Sequence, residues 1–200
     1  MFSLLHKTVE QFIRLDPQEK ALFESAFSYR EMPKKFTLVK YGQITRELYF
    51  INKGLLRLYY DKNGEEITGY IFREGLFASS LESLLRQSPS IQYLETLENC
   101  ELLVMRLDQL EELYRTVPKI NIMTRKIAEQ RFINSQMILS SFLLDTPEER
   151  YQKFVEHHSD LLLRVPHHII ASYLGITPVS MSRIRKRQLQ GAKRGVRHKA

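Results

Sequence analysis

The sequence predicts an α+β protein: an N-terminal antiparallel β-roll of the jelly-roll kind, then a long helix and a C-terminal helix–turn–helix domain. Between residues 32 and 105, short runs rich in β-branched and aromatic residues alternate with turn signals. After Pro118 the pattern becomes helical and stays so. Charge divides the chain in a similar way, because residues 164–200 carry nine Lys or Arg and no Asp or Glu. The rest of the chain is close to neutral.

The composition is that of a globular protein of one or two domains. The chain has 200 residues, of which 43% are apolar, enough to bury a core. The single cysteine, Cys100, excludes an intramolecular disulfide and a cysteine-rich metal centre within one chain. No apolar run has the length of a signal peptide or a membrane span, so we expect a cytoplasmic protein that does not enter membranes.

Two helix starts are marked by the same local signature. Asp16 and Thr146 are each placed as an N-cap, each is followed by a proline, and Glu19 and Glu149 stand three residues further on. This is the pattern of a capping box with proline in the first turn. We therefore expect a short helix after Asp16 and a new helical domain that begins near residue 146.

Tight turns separate the predicted strands of the roll. They are expected at residues 41–42, 52–54 and 61–64, where glycine follows Tyr, Lys or Asn. A short helix is predicted over residues 79–87. The aromatic residues of the strands are expected to fill the core, with one or two at an apolar pocket for an effector. Cys100 is expected to be a buried, unreactive thiol rather than a redox sensor.

A long helix is predicted from about residue 119 to residue 144. Within this helix, mostly apolar residues recur every three to four positions, as they do along the contact line of a coiled coil. Polar residues occupy some of these positions. One interpretation is a helix that packs on its own β-domain; the other is a helix that pairs with a second copy of the chain. The length, without internal Pro or Gly, favours the pair. The candidate interface residues are Ile120, Met123, Ile127, Gln130, Asn134 and Met137.

The stretch IIASYLGITPVSMSRIRKR, residues 169–187, has the spacing of a helix–turn–helix. Ala171 is small enough for two helices to cross, and Gly175 suits the left-handed backbone of a turn. Thr177 is placed to cap the second helix, with Pro178 at its first position. The predicted core between the two helices consists of Ile170, Ala171, Leu174, Met181 and Ile184.

The outward face of that second helix is rich in Ser, Arg and Lys and has no acidic residue. Such a face suits the DNA major groove, because Ser and Arg bind base edges while Arg and Lys bind phosphates. A helix pair used only for packing would not need this surface. Val179 is left ambiguous between the two faces.

The order of elements resembles that of the cyclic AMP receptor protein/fumarate-nitrate regulator (Crp/Fnr) family of bacterial transcription factors. The resemblance covers residues 5–190 and is most specific in IIASYLGITPVSMSRIRK, supported by ENCELLVMRLDQLEEL at residues 98–113. It implies a cyclic-nucleotide-binding-like sensor domain at 1–117, a dimerisation helix at 118–144, and a DNA-binding domain at 145–190. Residues 191–200 resemble a flexible basic tail.

The resemblance implies a homodimer that binds a pseudo-palindromic operator in double-stranded DNA. RNA polymerase and an unknown small-molecule effector are the other partners that it implies. Ser180 and Arg183 would contact bases, and His168 and Thr177 would face phosphates. The complete set of predicted DNA-binding residues is His168, Thr177, Ser180, Ser182, Arg183, Arg185, Lys186 and Arg187.

Two segments depart from the family pattern. Where the family has a Gly-Glu-Leu segment and an Arg-Ser or Arg-Thr for the cyclic phosphate, this chain has Ser79-Ser80-Leu81 and Ser90-Ile91. A buried anion without a cation is costly, so we expect no binding of cyclic AMP in the usual way. The candidate pocket residues are Ser79, Ser80, Glu82 and Arg86. Pro178-Val179 replaces the family's Arg-Glu, so the operator should differ from the usual consensus.

No catalytic residue, metal site or cofactor is predicted. A metal enzyme built on the roll would need His and carboxylate ligands there, but all six histidines lie outside residues 32–110. The neighbouring pairs at 157–158 and 167–168 are interpreted as surface or helix-end residues rather than a metal switch. The alternative function is a regulatory module that binds a ligand or protein through the roll and nucleic acid non-specifically through the basic tail.

Overall fold

The computed structural model describes the backbone of residues 1–197 and the side chains of residues 1–187. Its contacts divide it into two compact units, residues 1–133 and the part of the chain from Asn134 onward. The boundary falls inside the long helix, so the segment 118–144, which we expected to be separate, is shared between the units. None of the helices in the described residues is long and apolar enough to cross a membrane.

The first unit combines eight described strands with four helices and the beginning of a fifth. The strands are β1 (Ser28–Met32), β2 (Thr37–Val39), β3 (Glu47–Lys53), β4 (Leu56–Lys62), β5 (Glu65–Phe72), β6 (Phe77–Ala78), β7 (Tyr93–Thr96) and β8 (Cys100–Arg106). The helices are α1 (Ser3–Val9), α2 (Pro17–Ser25), α3 (Leu81–Arg86), α4 (Leu107–Thr116) and the long helix α5 (Lys119–Leu144).

The second unit is helical after the end of α5. Its helices are α6 (Pro147–His158), α7 (Leu161–Arg164), α8 (His167–Tyr173) and α9 (Pro178–Arg197). We expect residues 191–200 to form a tail that is separate from the last helix, but the backbone of α9 continues to Arg197. Residues 198–200, and all side chains after residue 187, lie outside the described residues.

Two four-stranded antiparallel sheets form the predicted roll, with strand orders β1-β8-β3-β6 and β2-β7-β4-β5. Because side chains alternate along a strand, Leu56 and Leu58 of β4 share one face and pack in the core with Leu94 of β7. The turn between β4 and β5 has Asn63 and Gly64 at φ angles of 57° and 84°. Two left-handed residues in a row suit a tight hairpin, which confirms the predicted turn.

Both predicted capping boxes are present. The Asp16 carboxylate accepts from the Glu19 backbone N–H at 2.9 Å, and Glu19 accepts from the Asp16 N–H at 2.9 Å. Thr146 and Glu149 repeat the arrangement, with donor–acceptor distances of 3.3 Å and 2.7 Å. These bonds satisfy N–H groups that a helix start otherwise leaves without partners, so α2 and α6 begin where the sequence predicts.

Helix α5 buries its first two turns in its own unit. Ile120 and Met123 are 0% and 2% exposed, and Ile127 packs partly buried against the same cluster, to which α1, α4 and the roll contribute. We expect these three residues at an interface between two chains, but Ile120 and Met123 are already covered by their own unit, whereas Ile127 is only partly buried. The other predicted interface residues are Gln130, Asn134 and Met137, of which Asn134 is half-buried and the other two are exposed.

A buried arginine joins three strands of the second sheet. Arg57 on β4 is 3% exposed, and its Nη2 atom lies 2.6 Å from a carboxylate oxygen of Glu66 and 2.5 Å from one of Glu95. Its guanidinium carbon lies 4.2 Å from the centre of the Tyr59 ring. Two carboxylates and an aromatic face offset the loss of water around the guanidinium. This cluster therefore connects β5, β4 and β7 through side chains as well as through backbone hydrogen bonds.

We expect Arg57→Met to lower the free energy of unfolding by about 3 kcal/mol, because Glu95 would remain partly buried without its cation. Urea unfolding followed by circular dichroism measures this. The matched control is Arg86→Met, since Arg86 is exposed and 3.8 Å from the exposed Glu82, and should change stability by less than about 0.5 kcal/mol. Equal losses in the free energy of unfolding would show that the buried cluster stabilises the protein no more than an exposed ion pair does.

Candidate nucleic-acid interface

Helices α8 and α9 are joined by a short turn whose backbone bonds end the first helix. Gly175 has a φ of 63°, its N–H donates to the carbonyl of Ser172 at 3.0 Å, and the Ile176 N–H donates to that of Ala171 at 3.0 Å. These two bonds with a left-handed glycine form a Schellman motif, which satisfies the last carbonyls of a helix. The predicted turn is therefore present at the predicted glycine.

The end of α5 packs directly on this turn. A Cβ atom on Gly175 would lie 2.5 Å from a ring carbon of Phe142, so a side chain there would require the Phe142 ring to move. Arg150 of α6 donates to the carbonyl of Leu174 at 2.9 Å and to the carbonyl of Asp145 at 2.7 Å. One guanidinium thus binds the backbone at the end of α5 and at the turn between α8 and α9.

The core between α8 and α9 is the one that the spacing predicts. Its five residues are all buried: Ile170, Ala171, Leu174, Met181 and Ile184. Thr177 precedes α9, and its hydroxyl oxygen accepts from the Ser180 N–H at 3.1 Å while the hydroxyl donates to the Ser180 Oγ at 2.9 Å. Thr177 is therefore an N-cap, as predicted, and the two hydroxyls nearest the helix start bind each other.

The opposite face of α9 is exposed. Ser182, Arg183 and Lys186 all lie there, and the described residues offer no ion-pair partner to either of the two cations. Val179, which the sequence left ambiguous, is 60% exposed on the same face, four residues before Arg183. Helical periodicity was the signal that could have placed it, since Val179 lies opposite the buried Met181 and Ile184.

Three other predicted residues flank this face. Arg185 is half-buried, and its Nη1 atom lies 3.0 Å from Nε2 of His167. Arg187 forms an ion pair of 2.6 Å with Glu148 of α6. His168 is exposed at the start of α8. Arg185 and Arg187 thus already contact other residues of their own unit, and Thr177 and Ser180 bind each other.

The residues aligned with the family's phosphate segments form a neutral hydrogen-bond network in the first unit. Ser79 is buried and donates to a backbone carbonyl of β3 at 2.9 Å. The hydroxyls of Ser80 and Ser90, also buried, lie 2.8 Å apart, and Ser80 also donates to the Gln92 side-chain oxygen at 3.1 Å. The buried hydroxyls therefore have protein partners, and no cationic side chain takes part in these bonds.

Glu82 and Arg86, two of the four predicted pocket residues, point away from this network. Both are exposed and lie 3.8 Å apart as an i,i+4 pair on the surface of α3. The physical reason is the helical period, because α3 buries Ser83 and Leu84 and so turns residues 82 and 86 to solvent. These two side chains therefore lie on the surface of α3, apart from the hydrogen-bond network of Ser79, Ser80 and Ser90.

An apolar cavity of about 400 Å³ lies in the first unit between α3, α4, α5 and the roll. Leu81 and Leu84 line it from α3, and Phe77, one of the aromatic residues of the roll, lines it from β6. Arg131 of α5 also borders the cavity, donates to the Phe77 carbonyl at 3.4 Å, and has a pKa lowered by burial. The cavity is large enough for a small organic molecule.

No cluster of three or more His, Cys, Asp or Glu residues that could hold a metal ion occurs in the described part of the chain. Cys100 is buried, and its thiol donates to backbone carbonyls of Leu55 and Glu98 at 3.5 Å and 3.2 Å. Burial raises the pKa of this thiol to about 11. The thiolate that redox chemistry requires is therefore scarce at neutral pH, in line with the predicted unreactive cysteine.

Solved structures of bacterial regulators share this fold. The c-di-GMP-responsive global regulator CLP of Xanthomonas campestris matches with a TM-score of 0.71 and 18% identity, over 88% of this chain and 93% of its own. FixK2 of Bradyrhizobium japonicum matches with a TM-score of 0.72 and 15% identity, over 82% and 86% of the two chains. A putative Crp/Fnr-family regulator from Eubacterium rectale matches with a TM-score of 0.68 and 18% identity, over 88% and 85%.

The sequence comparisons are more limited in extent. No curated protein matches the chain. Residues 29–117 match the family model of the cyclic nucleotide-binding domain, which covers the strands of the roll and α4 except for the first residue of β1. Residues 29–117 are therefore similar to cyclic nucleotide-binding domains, and the chain as a whole shares the fold of these solved regulators, among them the Crp/Fnr-family one.

Proposed function

We propose that this protein is a homodimeric, sequence-specific DNA-binding regulator of transcription that does not respond to cyclic AMP. The observation that carries the proposal is the helix pair α8–α9, whose exposed face presents Arg183 and Lys186 without acidic neighbours on the helix. The fold shared with Crp/Fnr regulators supports the same conclusion. The proposal places the protein in the cytoplasm, with RNA polymerase as a further partner where it activates transcription.

Helix α9 is proposed to enter the major groove as the recognition helix of a helix–turn–helix. Arg183 would bind a base edge, because a guanidinium can donate two hydrogen bonds to guanine. Lys186, one turn nearer the C-terminus, would bind phosphate, together with Arg185, Arg187 and His168 at the flanks. Two such helices in a dimer would lie about 34 Å apart and contact successive major grooves of a pseudo-palindrome.

The second half of α5 is the proposed dimer contact. Between residues 132 and 144 it exposes seven large apolar side chains, and such a surface on a helix is normally covered by a partner. Gln130, Asn134 and Met137 of the predicted seam lie within or beside this region, whereas Ile120 and Met123 do not contribute because their own unit covers them. The exposed apolar residues are Phe132, Ile133, Met137, Leu139, Phe142, Leu143 and Leu144.

A small-molecule effector would act through α5 in this proposal. The apolar cavity of the first unit is lined by Ala128 and Arg131 of α5, so a bound molecule would contact that helix. The far end of α5 carries Phe142, which packs on Gly175 at the turn of α8–α9. A ligand that favours one packing of α5 would thus shift the population between dimers that fit the operator and dimers that do not.

The test of the proposed function begins with selection of genomic DNA fragments by the purified protein without added nucleotide. We expect enrichment of a two-fold symmetric site. Arg183→Ala should then weaken operator binding by about 1–3 kcal/mol and relax the preference at one base pair. Lys186→Ala should weaken binding to all DNA alike and make it less sensitive to salt.

Fluorescence anisotropy on operator and random duplexes at several salt concentrations separates these effects. Arg86→Ala, a change of an exposed arginine in the first unit, is the control and should leave both affinities unchanged. Equal losses on operator and random DNA for Arg183→Ala and Lys186→Ala would contradict the assignment. Steep salt dependence without any preferred sequence would favour the alternative, a regulatory module with non-specific affinity for nucleic acid.

Met137→Glu should raise the dimer dissociation constant about 100-fold, because a carboxylate would be buried without a partner at the apolar contact. Sedimentation equilibrium measures this directly. Met137→Leu keeps an apolar side chain of similar size and should change the constant less than about threefold. A Met137→Glu protein as dimeric as the unchanged chain would place Met137 outside the interface.

We expect isothermal titration calorimetry to detect no sub-micromolar binding of cyclic AMP. The physical reason is that Ser79, Ser80 and Ser90 are buried and already bonded, with no cation to pair with the cyclic phosphate. Thermal unfolding should likewise show no shift when the nucleotide is added. Saturable sub-micromolar binding at one site per chain would overturn this part of the proposal.

A further inference from the structure

The first turn of α9 presents an apolar end to the proposed DNA groove. Pro178 and Val179 are both exposed, and Val179 retains 60% of its accessible surface. The hydroxyls of Thr177 and Ser180 bind each other at 2.9 Å, so the polar groups nearest to this end are already paired. The exposed side chains of Pro178 and Val179 at this end of the helix can therefore neither donate nor accept a hydrogen bond.

Val179 lies on the same stripe of the helix as the two exposed cations. Arg183 and Lys186 follow it by four and seven residues, a spacing that puts all three on one face. Met181 and Ile184, which fill the core between α8 and α9, lie on the opposite face and are buried. If Arg183 reads a base edge, Val179 would face a neighbouring base pair, because it lies about one helical turn earlier on the same face of α9.

The major groove offers one apolar group to such a side chain, the 5-methyl group of thymine. An unmodified cytosine would instead direct its amino group at Val179, which has no acceptor for it. We propose that Val179 is a specificity-determining residue that packs against the 5-methyl group of a thymine in each operator half-site, next to the base pair read by Arg183. This inference rests on the proposed function and specifies part of its operator.

The chemistry predicts how much the contact contributes. Burial of one methyl-sized group corresponds to about a fourfold gain in affinity, so two half-sites together should give about fifteenfold. The gain depends on the methyl group and not on base pairing, because uracil pairs with adenine as thymine does. A 5-methylcytosine at the same position would supply the methyl group and should bind better than cytosine.

The experiment is a double-mutant cycle between the protein and the DNA. Each thymine of the selected operator is replaced in turn by deoxyuridine in both half-sites, and the dissociation constant is measured for the unchanged chain and for Val179→Ala. At one position we expect a loss of about fifteenfold with the unchanged chain and of less than about twofold with Val179→Ala. Circular dichroism and the thermal midpoint confirm that the variant folds.

Leu163→Ala is the matched control, since Leu163 is also an exposed apolar residue of the second unit but lies on α7. It should show the same loss of about fifteenfold as the unchanged chain. The inference is overturned if a two-fold symmetric operator is selected but contains no thymine whose methyl group is coupled to Val179. If no operator is selected at all, the proposed function fails first, and the inference fails with it.

Discussion

The guanidinium of Arg150 holds together the part of the chain on which the candidate interface depends. Its hydrogen bonds reach two backbone carbonyls at helix ends, that of Asp145 after α5 and that of Leu174 after α8. Carbonyls at such ends have no partner within their helix, so a cation there is favourable. Asp145 is fixed in turn, because Lys153 donates to its carboxylate at 2.7 Å and keeps its pKa below the ordinary value. The hydrogen bonds of Arg150 and the ion pair of Lys153 therefore fix the helix ends next to α9.

Sequence reasoning succeeded where the interacting groups are close in the chain. The cap at Thr146 and the turn at Gly175 each depend on partners within five residues, so their side-chain chemistry predicts them. Sequence reasoning failed where contacts with residues far away in the chain decide whether a helix face is buried in its own unit. Ile120 and Met123 have the spacing of an interface seam, but the same spacing serves a core, and the choice depends on how α4 and the roll pack against α5. Periodicity cannot distinguish these two surroundings.

The part of the chain that matches the cyclic nucleotide-binding domain model has the fold of these domains without the ionic groups of the usual cassette. Ser80 and Ser90 replace them with hydroxyls that bind each other, and Gln92 completes the network. Neutral hydroxyls with partners cost far less to bury than a lone arginine without its phosphate. The domain can therefore be well packed with no nucleotide present. A small-molecule effector would then have to bind elsewhere in the domain, for example in the apolar cavity.

The close approach of Phe142 to Gly175 constrains how this protein can evolve. A side chain at position 175 meets two barriers, the positive φ of 63° and the ring only 2.5 Å from the place of its Cβ. A smaller residue at position 142 would remove only the second barrier, after which Asn or Asp could adopt the left-handed backbone. Among related chains, a side chain at position 175 should therefore occur more often where position 142 is smaller than phenylalanine, so these two positions are expected to vary together.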